Sequence, residues 1–295
     1  MIVNSLVVFT HSRAALLNKC VQSVLNAKNS NSWKKVLIHQ QEFDSVKTVV
    51  DKYLKKFDLV ITLKPISDVP LENINYNRVL GTQICFDKFN SNLVLGIEED
   101  TMIGFDSLIF IETMYNMYKN DRSFRGINLG SREPLSERNK FTYSLIRFGL
   151  QAQAGVLTRR TWGKVYPHKI LNMKTLEGWD SKIEFTLKSG FMVTPNASRM
   201  LDQGWGGTHV PKNPLDPYFT GIKNSWVGRK SFKIKRYHLQ PPEMIWRPDS
   251  VPYKKRYSIF YRIRSTFIGY KISDLRSNSN ARLVFDIVKK FKLKI

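Results

Sequence analysis

Cysteine is nearly absent from this chain. Cys20 and Cys85 are the only two in 295 residues, far apart and without metal-ligand spacing. This excludes a disulfide scaffold and a cysteine-rich metal module, and it suits a reduced, cytosolic setting. Long apolar runs are also missing: nothing approaches the roughly 18 residues that a membrane-spanning helix needs. The opening MIVNSLVVFT has no basic stretch and no small-residue cleavage site, so it reads as a buried first strand and not as a signal peptide. Internal repeats and low-complexity segments are absent too. Acids are scarce, with 24 Asp+Glu against 47 Lys+Arg.

What is present is enough to fold. The chain is 42% hydrophobic and 12% aromatic, which excludes a mostly disordered protein. Its length allows one sizeable core or two small domains. The net charge of +23 implies an anionic partner: nucleic acid, an anionic membrane face or a phosphorylated substrate. That charge is uneven. From Pro211 onward there are 20 Lys+Arg and 5 Asp+Glu, so most of the surplus belongs to the tail.

The first 130 residues alternate in type. Strands are expected at 2–9, 33–40, 59–63, 92–100 and 124–129. Helices are expected between them, with Ser12 capping one whose apolar positions are Ala15, Leu16, Val21, Val24 and Leu25. Val46, Val49, Val50, Tyr53 and Leu54 mark the second helix, 44–56. The third spans 71–89 and the fourth 105–119. This alternation predicts an α/β fold, Rossmann-like, with a mostly parallel central sheet flanked by helices. Ligands of such sheets bind beyond the carboxyl ends of the strands. Residues 131–145 read as a polar loop, 154–165 as a strand turning helical, 178–190 as a short helix, 191–195 as a strand, and 204–217 as an irregular loop.

The fourth strand ends in Glu98-Glu99-Asp100. Adjacent carboxylates repel unless a cation or hydrogen-bond donors offset them. Mg²⁺ or Mn²⁺ bridging a diphosphate would do so, since these ions favour carboxylate, phosphate and water oxygens. A solvated acidic loop after an edge strand is the alternative, and three acids do not decide between them.

The segment NLVLGIEEDTMIGFDSLIFIETMY resembles the N-acetylglucosaminyltransferase I family, which reads as apolar strand, Glu-Asp-Asp, short linker, then Asp opening an apolar helix. Glu98, Glu99, Asp100 and Asp106 are the matching positions, with Glu99 standing where the family has Asp. The resemblance implies the glycosyltransferase A fold and a UDP-sugar donor, with N-acetylglucosamine as the sugar. It makes Asp100 the ligand of Mn²⁺ or Mg²⁺ and places Glu98 and Glu99 beside the donor. YNRVLGTQICF is similar to the family helix before the acids, which puts Arg78 near the diphosphate or the acids; a surface arginine is the alternative. VVFTHSRAALLNKCVQSVL looks like the family's opening turn, so Thr10, His11 and Arg13 are candidate donor contacts. HQQEF adds Glu42. AGVLTRRTWGKV is similar to the segment before the family's catalytic acid, and GWDSKIEF matches its Trp-Asp-Asp segment. That implies Asp180 as general base, with Trp179 beside the donor. TPNASRMLDQGWGGTH resembles a Pro-x-x-Ser-Arg stretch and a glycine-rich loop ending in His, adding Arg199, Gly207 and Thr208 as donor contacts and His209 as a metal ligand.

In an inverting transfer one carboxylate accepts the proton of the attacking hydroxyl. Asp180 at a helix start suits that role; a simple N-cap is the alternative. Glu184, one turn later, is the substitute if the register is shifted. The Gly204–His209 stretch reads either as a lid over the diphosphate or as a turn cluster. His168 and His238 are expected to be structural or solvated.

The resemblance covers 1–210, a catalytic domain with a nucleotide-sugar half to about 130 and an acceptor half from 131. Residues 211–295 form a basic extension, expected to be helical. In it, 254–272 interleaves Lys and Arg with aromatics, and 281–295 gathers Leu283, Val284, Ile287, Val288 and Phe291 on one helical face. Such helices bind anionic membrane surfaces, or pack back on the domain with lysines outward. A peripheral place on the inner face of the cell membrane would suit a glycan or lipid-linked glycan acceptor. A basic nucleic-acid-binding protein is the competing class, disfavoured because 1–210 holds no nucleic-acid module. A nucleotidyltransferase would share the sheet and metal without needing Trp179 and Asp180. A transferase fold without activity is the remaining alternative.

Overall fold

The structure is a computed structural model. It describes residues 3–41, 43–131, 143–146, 150–151, 153–165, 183, 190–195 and 197–204. The expected basic extension and most of the 178–190 helix lie outside these residues. The described residues belong to one compact unit.

The core is one eight-stranded sheet. Its strands are β1 (Asn4–Phe9), β2 (Trp33–Gln40), β3 (Leu59–Leu63), β4 (Leu93–Glu98), β6 (Phe124–Asn128), β7 (Tyr143–Ile146), β8 (Ala154–Thr158) and β9 (Phe191–Pro195), in the order β3-β2-β1-β4-β8-β6-β9-β7. Strands β1 to β4 run parallel to one another, as do β6 and β9; β8 is antiparallel to β4 and β6, and β7 to β9. The expected mostly parallel α/β sheet is therefore present. All six β1 residues are buried, as a strand covered on both faces requires. A small antiparallel ribbon pairs β5 (Thr101–Ile103) with β10 (Met200–Asp202).

The helices are α1 (Ala14–Asn26), α2 (Asp44–Tyr53), α3 (Pro70–Lys88), α4 (Ser107–Tyr118) and α5 (Arg159–Val165). Helix α3 packs on β1, β2 and β4, and α4 on β6. Several boundaries differ from expectation. Ser12 does not cap α1: the cap position is Arg13, and its side chain makes no cap hydrogen bond to the helix. The buried face of α1 is Leu17, Cys20, Val21 and Val24, whereas Ala15 is exposed. Helix α2 stops at Tyr53, and Leu54 is 50% exposed in a 3-10 turn. The fourth strand ends at Glu98, so Glu99 and Asp100 form a turn before β5. The expected loop 131–145 runs into β7, which completes the sheet edge beside β9.

One glycine sets a close approach and another stands in open space. A Cβ on Gly126 in β6 would fall 2.0 Å from the Val156 carbonyl oxygen of β8, whereas Gly163 in α5 has nothing within 4 Å. We expect Gly126→Ala to lower the unfolding free energy by about 2–4 kcal/mol, because backbone cannot yield. Gly163→Ala should be neutral or stabilising by about 1 kcal/mol through helix propensity. Urea unfolding of both variants tests this; equal stability would refute the close packing at Gly126.

Candidate active site at the ends of β1 and β4

Strand order reverses between β1 and β4, since α1 and α2 lead away from β1 on one side while α3 returns to its other side. The crevice at such a reversal, beyond the carboxyl ends, is where open α/β sheets bind ligands. Phe9 and Glu98 are register partners at those ends. The acidic turn 98–100 and the turn 10–13 leading into α1 therefore meet.

Glu99 is the centre of that meeting. Its side chain is 3% exposed. One oxygen, Oε2, accepts from Thr10 Oγ1 and from the His11 amide, both at 2.6 Å. The other, Oε1, accepts from the amides of Ser12 (3.4 Å) and Arg13 (3.2 Å) and from Arg13 Nε (2.9 Å). The carboxylate thus gathers the backbone amides of the turn that leads into α1, from the neighbouring strand end and near the positive end of the helix dipole. Burial pushes its pKa up, but the bonds from Thr10, Arg13 and His11 and the Arg13 charge outweigh that and hold it below the ordinary range.

The other two acids are held differently. Glu98 pairs with Arg78 Nη2 at 2.5 Å and keeps 27% of its side chain exposed. Arg78 is 1% exposed and its guanidinium lies 4.2 Å over the Phe9 ring, so the surface alternative does not hold. Gly96 makes room for it: a Cβ there would come 3.2 Å from Arg78 Nη1. Asp100 is 6% exposed and bonded to Arg13 Nη2 at 2.6 Å. Burial first, then the Glu98 charge, push its carboxyl up to about 6 against the pull of Arg13.

Residues 199–204 close over Asp100. Gln203 N donates to the Asp100 carbonyl at 2.9 Å, and Gly204 N to Asp202 Oδ1 at 2.7 Å. A Cβ on Gly204 would lie 2.3 Å from Asp100 Oδ2 and 3.0 Å from Asp202 Oδ1, so both carboxylates converge on one point. Asp202 was missed in the sequence, where it stands two residues before the glycine-rich stretch without a motif of its own. Arg199 lies away from this convergence. It is 1% exposed, sits 4.4 Å over Phe110, and pairs with Asp106 at the start of α4 at 3.3 Å. His11 stands at the rim, half-buried against Phe43 with ring centroids 4.9 Å apart.

The chemistry of the donor set fits a hard divalent cation. Asp100 and Asp202 offer two carboxylates, and such ions commonly take one or two carboxylates, with phosphate and water completing the shell. Among the described residues no group of three or more His, Cys, Asp or Glu is arranged to hold a metal. Glu42, Trp179, Asp180, Glu184, Gly207, Thr208 and His209 lie outside the described residues. Cys20 and Cys85 are free and buried, and burial pushes the Cys85 thiol up to about 12, so neither is a nucleophile. No helix among the described residues is long and apolar enough to cross a membrane.

Glu99 supplies a direct stability test. A carboxylate held below its ordinary pKa stabilises the fold above that pKa, and the contribution is lost as pH falls through the folded value. Glu99→Gln is expected to cost about 2–3 kcal/mol at pH 7. The gap to the parent protein should shrink in urea unfolding as pH falls below about 4. A gap that stays constant with pH would count against the charged network.

No family profile matches the chain, and no curated protein matches it. Among solved structures, the crystal structure of S. aureus TarS is similar with a TM-score of 0.47 at 11% identity, covering 68% of this chain and 36% of that one. The crystal structure of S. aureus TarS 1-349 gives a TM-score of 0.45 at 14% identity, covering 66% and 61%. The chain thus spans about a third of the longer TarS chain and about three fifths of the shorter.

Proposed function

We propose that this protein is a metal-dependent, inverting glycosyltransferase of the glycosyltransferase A type. It moves a sugar from a UDP-sugar donor, with N-acetylglucosamine as the sugar, to a hydroxyl of a glycan or lipid-linked glycan. The observation that carries this reading is the convergence of Glu98, Glu99, Asp100, Arg13 and Arg78 where β1 and β4 end side by side. A crevice with buried acids and arginines at a strand-order reversal suits a diphosphate with its cation.

Asp100 and Asp202, with His209, would hold Mn²⁺ or Mg²⁺. When bound, that ion neutralises charge on the departing diphosphate. The chain's own residues do the rest. Glu99 fixes the 10–13 turn so that Thr10, His11 and Arg13 face the donor. The half-buried His11–Phe43 pair gives the uracil an aromatic wall, and Glu42 is a further contact to it. Arg78 sets the direction of Glu98 toward the sugar side. Arg199 acts from a distance, holding β10 and the start of α4 in place. Trp179 offers the sugar ring a flat apolar surface, and Asp180 takes the proton of the attacking hydroxyl. Gly207 and Thr208 close over the diphosphate and exclude water. The basic 211–295 extension rests on an anionic membrane surface, which places the enzyme at the inner face of the cell membrane.

The test is a hydrolysis screen of nucleotide sugars with and without Mn²⁺. We expect turnover of a UDP-sugar with Mn²⁺, reduced at least about a hundredfold in Asp100→Asn. Asp180→Asn should bind donor normally but lose transfer by about the same factor. Full turnover in Asp100→Asn would remove the metal assignment, and full transfer in Asp180→Asn the base.

A further inference from the structure

Arg13 holds two of the three acids at once. Its Nε meets Glu99 Oε1 at 2.9 Å and its Nη2 meets Asp100 Oδ2 at 2.6 Å. The two acids depend on it unequally. Glu99 also accepts from Thr10 Oγ1 and three backbone amides. Asp100 is 6% exposed, lies in a turn with Glu98 and Glu99, and converges with Asp202 on the Gly204 backbone. The oxygen that Arg13 occupies, Oδ2, is the one aimed at that convergence. Arg13 itself keeps 37% of its side chain exposed, at the cap position just before α1, so the side chain has solvent to move into.

We infer that Arg13 is the resident counter-cation of the acidic turn, which a divalent ion must displace from Asp100, and which then turns to the anionic diphosphate. This rests on the proposed metal site. A guanidinium and a divalent ion cannot share one carboxylate oxygen without strong like-charge repulsion at close range. In the metal-free protein Arg13 keeps the buried acid from standing unpaired, which would be costly. When metal and diphosphate arrive, Arg13 exchanges a carboxylate for a phosphate, both of which a guanidinium binds well. Arg13 is then a positioning and gating residue whose effect is opposite in the two states: it weakens binding of the bare ion and favours the ion with a diphosphate.

The experiment is Mn²⁺ binding alone, read by electron paramagnetic resonance of free Mn²⁺, on the full chain and its Arg13→Gln, Arg13→Lys and Asp100→Asn variants. Arg13→Gln should bind Mn²⁺ about tenfold tighter than the parent, as expected when one competing ion pair is removed, and Arg13→Lys should lie between. Binding gained only in Arg13→Gln supports the inference equally. Adding UDP should narrow or reverse the difference, because only the parent offers the diphosphate an arginine. Equal or weaker binding in Arg13→Gln, with binding lost in Asp100→Asn, overturns the inference and leaves the metal site standing. No Mn²⁺ binding by any of the proteins, or binding unaffected by Asp100→Asn, overturns both. If Arg13→Gln does not fold, Arg13→Lys decides: tighter binding supports the inference, equal or weaker binding overturns it.

Discussion

The buried carboxylate of Glu99 is the interaction on which the site depends. It leaves the end of β4, crosses to the turn after β1, and accepts from the three amides of His11, Ser12 and Arg13 that lead into α1. Helices usually find a cap within their own turn. Here the turn before the helix is held by a residue 86 to 89 positions away in sequence, so the two strand ends cannot separate without unpairing that turn and a buried carboxylate. The same contact fixes Arg13, and through it Asp100. Local order at the crevice is thus a consequence of one acid placed at the positive end of one helix.

Around this centre the acids of a single segment, 98–106, meet arginines brought by three different elements. Arg13 comes from the cap position of α1, Arg78 from α3 and Arg199 from the bend just before β10. Each pairing ties a distant part of the chain to the turn between β4 and α4. Arg199 and Asp106 are both almost fully buried, so removing one alone would break a buried ion pair at a cost of about 3–5 kcal/mol. The arrangement explains how a chain so rich in Lys and Arg keeps a cluster of acids at its centre. The acids are matched locally by arginines whose forked geometry suits carboxylates. Only near Asp100 does the balance fall short, and burial and Glu98 push its carboxyl up.

The parallel half of the sheet was legible in the sequence because β1, β2 and β4 each carry a short apolar run, LVVF, VLI and LVLGI, separated by segments of helical spacing. The acidic turn was legible as a strand end. What the sequence concealed follows from longer-range contacts. Ser12 looked like a cap, but its amide donates to a carboxylate at the end of another strand, a contact invisible to any local pattern. Arg78 could equally have been a surface residue; Gly96 in β4 and the Phe9 ring make the space that buries it. Strand β7 was hidden because its sequence is polar around it and its partner, β9, comes some fifty residues later. Asp202 had no neighbouring signal, since its place beside Asp100 depends on the β5–β10 ribbon.

The central claim is that the crevice at the ends of β1 and β4 binds a nucleoside diphosphate together with a divalent cation. Calorimetric titration of the protein with UDP, in Mn²⁺ and again in excess EDTA, tests it most directly. The account predicts saturable binding that weakens at least about tenfold when Mn²⁺ is removed, because two buried carboxylates would otherwise face the diphosphate. Equal affinity in EDTA, or no binding in either buffer, would contradict it.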